Sequence, residues 1–488
     1  MRLGRLLLVT SALLTAGSAQ AAIQFVGKYE VAADTIDLSG ESASGAQNRL
    51  SFGSDWVFGN GKFYGITDRG PGGGVLPFTP RVNEMKLGID FTTGAITSHK
   101  VVGTTLLKDV DGNNLTGLNP QIAAGNVATL GRSFDSEGFH RLPNGNYLIA
   151  DEYGPSVYEF DANGKKLRAF EVPANLVPKT AGGQVDYVNG RPTIAAGRQD
   201  NRGYEGLTVS PDGSKAYAIL QDPLVNEGNP DGRRGRFLRI VEFDVASGQS
   251  TGQYTYELES LSDINARIPG TNRDFGANAQ GRNIGVSSIT ALSDGSFLVI
   301  ERDNRGLGVE ENSADPDPIG TKRVYRIRLD GATDISGDVL PGGLLPAGAK
   351  AVQKELFVDV QAALVAAGLN SVEKLEGLTF GPRLTDGSIA MYIVSDNDFS
   401  VTQNGSNVQF DVCAKSGSGS IQVPLGGACP AGYALIPTTI YAFKISGVDA
   451  AGLVPEPATW AMMIAGFGLA GAAMRRRRGL TNLRSSRA

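Results

Sequence analysis

The amino-acid sequence predicts an all-β fold, and within that class a β-propeller built as a single domain. Three observations predict it: one hairpin pattern recurs along the chain, further strand-like runs follow most of its copies, and helical patterns are sparse. Repetition of one supersecondary unit is typical of architectures in which each unit buries its apolar face against the next. Four strands per unit give five or six four-stranded blades, with a β-sandwich or a β-helix as the competing architecture.

The recurring pattern is a β-hairpin. Each copy has a short apolar or alternating run, a turn that contains glycine, and a second apolar run. The five copies, of which the first is weaker, are SDWVFGNGKFYGITDRG from Ser54, EGFHRLPNGNYLIADEYG from Glu137, EGLTVSPDGSKAYAILQD from Glu205, SSITALSDGSFLVIERDNRG from Ser287 and EGLTFGPRLTDGSIAMYIVSDND from Glu376. Inserted loops space the copies roughly 70 to 90 residues apart, which is wider than in the common propeller repeats.

Two elements stand outside the repeats. The early run IQFVGKYEVA has no hairpin partner of its own, so we expect it to complete the last blade and close the ring. Closure removes the edge strands that an exported β-protein has to protect. The clearest helix is VDVQAALVAAGL at 358–369.

The two ends of the chain read as targeting segments. Residues 1–21 combine Arg2 and Arg5, an apolar run and small residues before the expected cleavage point, which predicts a secretory signal peptide. Residues 453–488 contain an apolar stretch, 458–474, followed by four arginines. This stretch predicts a short transmembrane helix with a cytoplasmic tail, with a buried core helix as the alternative. Residues 22–452 remain for the β domain.

The C-terminal segment resembles the PEP-CTERM sorting signal of Gram-negative bacteria. The resemblance rests on Val454-Pro455-Glu456-Pro457, on Trp460, and on the glycine-containing apolar stretch before the basic terminus. It implies processing by an exosortase-type machinery, at least transient membrane contact through the helix, and delivery to the cell envelope, cell surface or extracellular matrix.

The charge of the central segment favours cations as partners. The whole chain carries −5, and without the two targeting segments the charge is about −12, which disfavours nucleic acid. Cys413 and Cys429 flank a Gly- and Ser-rich stretch. In an exported protein we expect a disulfide there, with a metal pair as the alternative.

Carboxylates recur at one end of the predicted hairpins. Because the start of the first strand lies beside the end of the second, most repeats bring acids and bases to the same rim of the ring. Glu137, Glu205 and Glu376 are the candidate catalytic residues. The candidate metal ligands are Asp68, Asp151, Glu152, Glu301, Asp303 and Asp396, and the candidate substrate-binding residues are Arg69, Arg202, Arg302 and Lys374.

A purely structural role is the alternative for each acid, since Glu-Gly at a strand start can satisfy backbone donors. We expect the turn residues Asn144, Asp212, Asp294 and Asp386 to serve the hairpins alone. As a set, close carboxylates are costly unless cations offset them. Clustered oxygen ligands suit Ca²⁺ before Mg²⁺ or Mn²⁺. Since His99 and His140 are the only histidines, a His-based site has few candidates.

The hairpin motifs resemble the "esterase-like activity of phytase" family. The resemblance rests on Asp135-Ser136-Glu137-Gly138, Tyr204-Glu205-Gly206-Leu207-Thr208, Glu301-Arg302-Asp303 and Leu375-Glu376-Gly377-Leu378, and covers about 52–443. It implies a repeat-built β domain associated with phosphoric-ester hydrolysis. The fourth copy departs from the pattern, with Ser287-Ser288 in place of Glu-Gly.

Three functions follow as hypotheses. The first is an exported phytase-like hydrolase that cleaves a small anionic phosphoester or related ester with a metal. The second is a non-catalytic envelope or matrix protein that binds Ca²⁺ or polysaccharide, and the third is a calcium-dependent lactonase. A catalytic role predicts that Glu205→Gln removes turnover, whereas a binding role predicts no turnover to remove.

Overall fold

The computed structural model describes residues 22–123, 131–309, 317–415 and 419–447, together with Leu453. The predicted signal peptide (1–21) and the predicted membrane segment (458–474) lie outside these residues. Within them, no helix has both the length and the apolar character that a membrane span needs. Strands make up most of the regular structure, so the predicted all-β class is confirmed.

The described ranges contain 26 strands, numbered in chain order from β1 (Ala22–Val31). Five four-stranded antiparallel sheets, A to E, hold most of them. Sheet A contains β2 (Asp55–Gly59), β3 (Lys62–Ile66), β4 (Arg81–Ile89) and β5 (Ile96–Leu106). Sheet B contains β6 (Ser136–Arg141), β7 (Tyr147–Asp151), β8 (Ser156–Phe160) and β9 (Lys166–Ala169). A two-stranded ribbon of β10 (Lys179–Thr180) and β11 (Ile194–Ala196) follows.

The remaining sheets follow the same order, except at the end of the chain. Sheet C contains β12 (Tyr204–Val209), β13 (Lys215–Leu220), β14 (Phe237–Asp244) and β15 (Ser250–Glu257). Sheet D contains β16 (Ile284–Ala291), β17 (Phe297–Asp303), β18 (Lys322–Arg328) and β19 (Gln353–Asp359). Sheet E has the order β1, β26 (Thr438–Ser446), β21 (Ile389–Asp396) and β20 (Lys374–Arg383). The helices are α1 (Pro120–Ala123), α2 (Leu261–Asn265) and α3 (Val360–Ala366), the last within the predicted helix.

Sheet E joins the first and the last described strands. Strand β1 runs antiparallel to β26, from Ala22 opposite Ser446 to Val31 opposite Thr438. The first strand therefore lies in the sheet of the last repeat, where the sequence placed it.

The hairpin turns use their polar residues as expected. Asn144, Asp212, Asp294 and Asp386 each accept a hydrogen bond from the backbone N–H two residues further on. Such a bond fixes the turn locally, and the glycine that follows supplies the positive φ that the turn requires. Two of them do more than hold the turn, since Asp294 also pairs with two arginines of β18 and Asp386 with Lys444 of β26.

A separate apolar core fills the contact between each pair of neighbouring sheets. Between sheets A and E, for example, Trp56 and Met85 pack with Tyr392 and Ile440. Because both faces of a sheet are covered, strands such as β21 are buried along their whole length and read as continuous apolar runs.

The innermost strands approach one another more closely than side chains allow. The first strands of the sheets lie side by side in the order β2, β6, β12, β16 and β20, and β20 also lies beside β2. A Cβ added to Gly206 would lie 2.7 Å from the backbone N of Ile289, and one added to Gly138 would lie 2.5 Å from that of Leu207. A Cβ added to Gly377 would lie 2.8 Å from the Trp56 side chain and 3.2 Å from the Cα atom of Asp55, both in β2. The glycine of each Glu-Gly pair is therefore required by close contact with the neighbouring sheet.

A smaller sheet is inserted between β21 and β26. It contains β22 (Val401–Gln403), β23 (Gln409–Lys415), β24 (Gly419–Pro424) and β25 (Ala434–Leu435). Cys413 and Cys429 form a disulfide with Cα atoms 5.7 Å apart. Arg49 binds Asp411 through two hydrogen bonds of 2.6 and 3.0 Å, which ties the insertion to the N-terminal loop.

The close contact at Gly206 gives a testable prediction. Gly206→Ala should lower the free energy of unfolding by about 1–3 kcal/mol, because the new methyl group overlaps the backbone of β16. Urea denaturation measures the change. Gly59→Ala is the matched control, since a Cβ at Gly59 in β2 meets nothing within 4 Å. Equal stability of the two variants would contradict backbone contact between the sheets.

Candidate carboxylate centre

The repeated glutamates sit on β-bulges in the innermost strands. In sheet C, Tyr204 and Gly206 pair with two consecutive residues of β13, so Glu205 between them is the extra residue of a bulge. Glu376 is the extra residue of sheet E in the same way, and a similar shift in sheet B takes in Glu137. A bulge leaves its residue unpaired and re-aims the side chain. The repeated motif thus directs glutamates away from the sheets.

Two of these glutamates, Glu137 and Glu205, meet acids from the strand ends in one carboxylate centre, and Glu376 lies beside it, linked through Arg302. Three overlapping groups form it, and within each group one carboxylate oxygen of every member lies within 4.8 Å of the others. The groups are Glu137 with Glu152 and Glu205, Asp68 with Asp135 and Glu137, and Asp68 with Asp396 and Asp398. Six of these seven side chains belong to buried residues, so their repulsion is weakly screened by water.

Two basic side chains neutralise one side of the centre. Arg302 donates a hydrogen bond to Glu376, with Nη2 2.7 Å from Oε1, and its Nη2 is 3.8 Å from Oε1 of Glu205. Lys374 Nζ lies 2.6 Å from Oδ1 of Asp398 and 3.6 Å from Oδ2 of Asp396. Both cations are held between pairs of acids.

Two further arginines lie at the edge of the centre. The backbone N–H of Arg69 donates to Oδ1 of Asp135, and its Nη1 is 3.5 Å from Oδ2. Arg202 Nε is 2.9 Å from Oδ2 of Asp222. Arg202 also donates to the Gln221 side chain, whose amide donates in turn to Glu205.

Other carboxylate oxygens of the centre have no such partner. Oε1 of Glu152 and Oε2 of Glu205 are buried and accept no hydrogen bond, although the two residues are only 3% and 2% exposed. Within the described ranges, neither Glu137 nor Glu152 forms an ion pair with a basic side chain. A buried, unpaired charge is costly, so this group needs a proton or a bound cation.

Burial and mutual repulsion raise the proton affinity of these acids. Burial is the main cause that raises the pKa of Glu137 and Glu205 well above the usual range, and neighbouring carboxylates add to it. Arg302 opposes the rise at Glu205. Burial likewise raises the pKa of Asp68 to about 6 and that of Asp222 to about 6.

Lys374 is affected in the opposite sense. Burial alone would lower its pKa, but the carboxylates of Asp398 and Asp396 outweigh burial and raise the pKa well above its usual value. Lys374 therefore stays charged and forms ion pairs with these two aspartates.

The structure does not bring Glu301 and Asp303 to the centre. Glu301 accepts hydrogen bonds from Tyr256 and Lys354 on the far side of sheet D. Asp303 pairs with the buried Lys322, 3.0 Å away, and accepts hydrogen bonds from two backbone N–H groups just before β18. Side chains alternate along a strand, and because Arg302 faces Glu376, its two neighbours must face away.

Asp151 lies behind the centre and outside the three acid groups. Its Oδ1 accepts the backbone N–H groups of Asp135 and Tyr153, each at 3.1 Å. Burial raises its pKa to about 7, while these backbone hydrogen bonds lower it. Asp151 thus holds the backbone that carries Asp135 and Glu152.

Two members of the centre were not among the sequence candidates. Asp135 stands two residues before Glu137, where the last repeat has Lys374 before Glu376. The sequence could have indicated Asp135 through its place in the Asp-Ser-Glu-Gly motif. Asp398 follows β21 with a left-handed φ of 47° and directs its carboxylate back to Lys374. That conformation has no signature in the sequence.

The donor set fits a hard divalent cation. The acid groups offer carboxylate oxygens alone, as Ca²⁺ and Mg²⁺ prefer, and Ca²⁺ accepts six to eight oxygens in flexible geometry. The unpartnered oxygens of Glu152 and Glu205 are the specific feature that a cation would satisfy.

Fold and site together define a β-sheet protein with a buried acidic centre. The chain belongs to the family described as "esterase-like activity of phytase", whose model matches residues 53–399. The match includes all seven members of the carboxylate centre.

Individual relatives are more distant. A protein of Arthroderma benhamiae described as an uncharacterized secreted protein is 29% identical over 327 residues, which cover 57% of this chain and 61% of the relative. Among solved structures, a luciferin-regenerating enzyme is 12% identical with a TM-score of 0.28, covering 80% of this chain and 75% of its own. A streptogramin B lyase is 10% identical, also with a TM-score of 0.28, covering 88% and 98%. The Dos1 propeller is 9% identical with a TM-score of 0.25, covering 71% and 66%. Scores this low assign no function.

The C-terminal segment matches the PEP-CTERM protein-sorting motif over residues 453–478. The chain is therefore an exported protein of the cell envelope of a Gram-negative bacterium, and the motif implies exosortase-type processing.

The raised pKa values predict how stability depends on pH without metal. A buried acid whose pKa rises on folding binds protons more tightly in the folded state, so the free energy of unfolding falls as pH rises toward the folded pKa. For Asp68 and Asp222 the window runs from about 4 to about 6, and for Asp151 to about 7.

Urea unfolding in chelator at pH 4.5, 6 and 7.5 measures this dependence. We expect the free energy of unfolding to decrease across the series, and Glu137→Gln to flatten the decrease because it removes one charge. Stability that rises with pH over this window would show that the acids are compensated within the fold.

Proposed function

We propose that the chain is a hydrolase that cleaves a phosphoester or a related ester at the carboxylate centre, with a bound divalent cation, most suitably Ca²⁺. The observation that carries the proposal is the pair of buried, unpartnered carboxylate oxygens of Glu152 and Glu205 beside the unpaired Glu137. Membership in the phytase-like family supports the class of reaction.

We also infer that sheets A to E are the blades of one closed five-bladed propeller spanning 22–452. The side-by-side order of the first strands and the apolar core between sheets A and E support this arrangement. The β1–β26 pairing would then fasten the ring in its last blade. In such a ring the bulged glutamates face the central channel.

Glu137, Glu152 and Glu205 would hold the cation. A cation bound there polarises an ester oxygen and lowers the pKa of a bound water. Glu137 is 8% exposed, more than the other two residues, and would be the ligand on the side from which substrate enters.

The remaining groups of the centre suit substrate binding and proton transfer. Arg302 and Arg202 would bind the anionic phosphoryl oxygens, with Arg69 beside them. Burial raises the pKa of Glu376, which favours proton acceptance. In hydrolysis the oxygen of water would form a bond to phosphorus as the bond from phosphorus to the leaving oxygen breaks. Glu376 would take the proton of that water and return a proton to the leaving oxygen, which departs as the alcohol.

The prediction is that Glu205→Gln lowers turnover at least about 100-fold while the protein stays folded, because the change removes a ligand charge. Assays use p-nitrophenyl phosphate, bis-p-nitrophenyl phosphate, a p-nitrophenyl ester and a lactone, each with Ca²⁺ and with chelator. Glu355→Gln is the matched control, since Glu355 is an exposed glutamate in β19.

The same assay separates the competing functions. Turnover of the lactone alone would favour a lactonase. Ca²⁺ binding with thermal stabilisation, but without turnover of any substrate, would favour a matrix-binding protein. Turnover that persists in chelator and in Glu205→Gln would contradict the proposed function.

A further inference from the structure

The acid groups of the carboxylate centre share members. Glu137 belongs both to the group with Glu152 and Glu205 and to the group with Asp68 and Asp135. A carboxylate has two oxygens and can bind two cations at once. Like Glu152, Glu137 has neither an ion pair nor a hydrogen-bond donor among the described side chains.

The group of Asp68, Asp135 and Glu137 has its own unpartnered oxygen. Asp135 is 0% exposed, and its Oδ2 accepts no hydrogen bond. Arg69 Nη1 forms an ion pair with this oxygen at 3.5 Å but donates no hydrogen bond to it. This observation is independent of Glu152 and Glu205, and it marks a second place where a cation would satisfy a buried acid.

The third group differs, because it contains an ammonium group that donates a hydrogen bond to one of its carboxylates. Lys374 Nζ lies 2.6 Å from Asp398 and 3.6 Å from Asp396. An ammonium group at these distances takes the place that a metal would have between the two aspartates. The centre therefore offers two positions for divalent cations.

We propose that the carboxylate centre binds a pair of divalent cations bridged by Glu137, the first with Glu152 and Glu205 and the second with Asp68 and Asp135. The proposal rests on the proposed function and deepens it, since it fixes the number of cations. Two cations would hold two oxygens of one phosphoryl group, which favours a phosphoester over a lactone as substrate class.

The test is the number of Ca²⁺ ions bound by the metal-stripped full-length protein, measured by isothermal titration and by elemental analysis after dialysis. We expect two ions for the unchanged protein and one each for Asp135→Asn and Glu152→Gln. Glu137→Gln should weaken both sites at least about 10-fold, since it removes the shared ligand. Circular dichroism checks that each variant is folded.

A second measurement needs no variant. With Mn²⁺ as the probe, ions bridged by one carboxylate give a spin-coupled paramagnetic resonance spectrum at two equivalents. Two separate sites give twice the six-line signal of an isolated ion. The coupled spectrum supports the bridge, and the uncoupled spectrum overturns it.

The outcomes also distinguish this proposal from the proposed function. One Ca²⁺ per chain, lost in Glu152→Gln and retained in Asp135→Asn, would overturn the bridged pair and leave a single-cation hydrolase standing. Absence of Ca²⁺ and Mn²⁺ binding would overturn both. Two coupled ions without hydrolysis would support the pair and contradict the catalytic role.

Discussion

Backbone contact between the innermost strands is the constraint on which the rest of the structure depends. Gly138 and Gly206 allow backbone contact between neighbouring sheets, and Gly377 makes room for the Trp56 side chain of the next sheet. The residue just before each of these glycines lies in a β-bulge and leaves the ladder of hydrogen bonds. A short sequence motif thus performs two tasks, since its glycine brings the sheets together and its glutamate points to where they meet. The fourth repeat keeps the bulge with Ser287, so the geometry does not depend on the acid.

Bringing the glutamates together raises the electrostatic free energy of the folded state, and basic side chains offset this rise on only one side of the centre. Arg302 and Lys374 each sit between two acids and balance one side of the centre. The other side, around Glu137 and Glu152, has no such partner in the described residues. The uneven balance is therefore the clearest physical sign that something other than the fold uses these carboxylates.

The features that follow from the repeats could be predicted from the sequence, whereas side-chain directions set by local backbone geometry could not. Because each hairpin brings the start of its first strand beside the end of its second, the meeting of Glu137 and Glu205 with Glu152 could be inferred from the repeats. The pairing of β1 with the last sheet followed from a strand without a partner. Glu301 and Asp303 were assigned to the wrong face because the bulge at Ser287 and the alternation along β17 set the direction of each side chain. Asp398 depends on a left-handed backbone that no residue pattern marks.

The pairing of β1 with β26 makes the last sheet depend on the whole length of the β domain. Strand β1 finds its partner in a strand more than 400 residues later in the chain. Without Thr438–Ser446, β1 has an unsatisfied edge and sheet E is incomplete. A product cut short before β26 would therefore carry an exposed, aggregation-prone strand. Only a polypeptide that includes β26 can therefore form the complete last sheet.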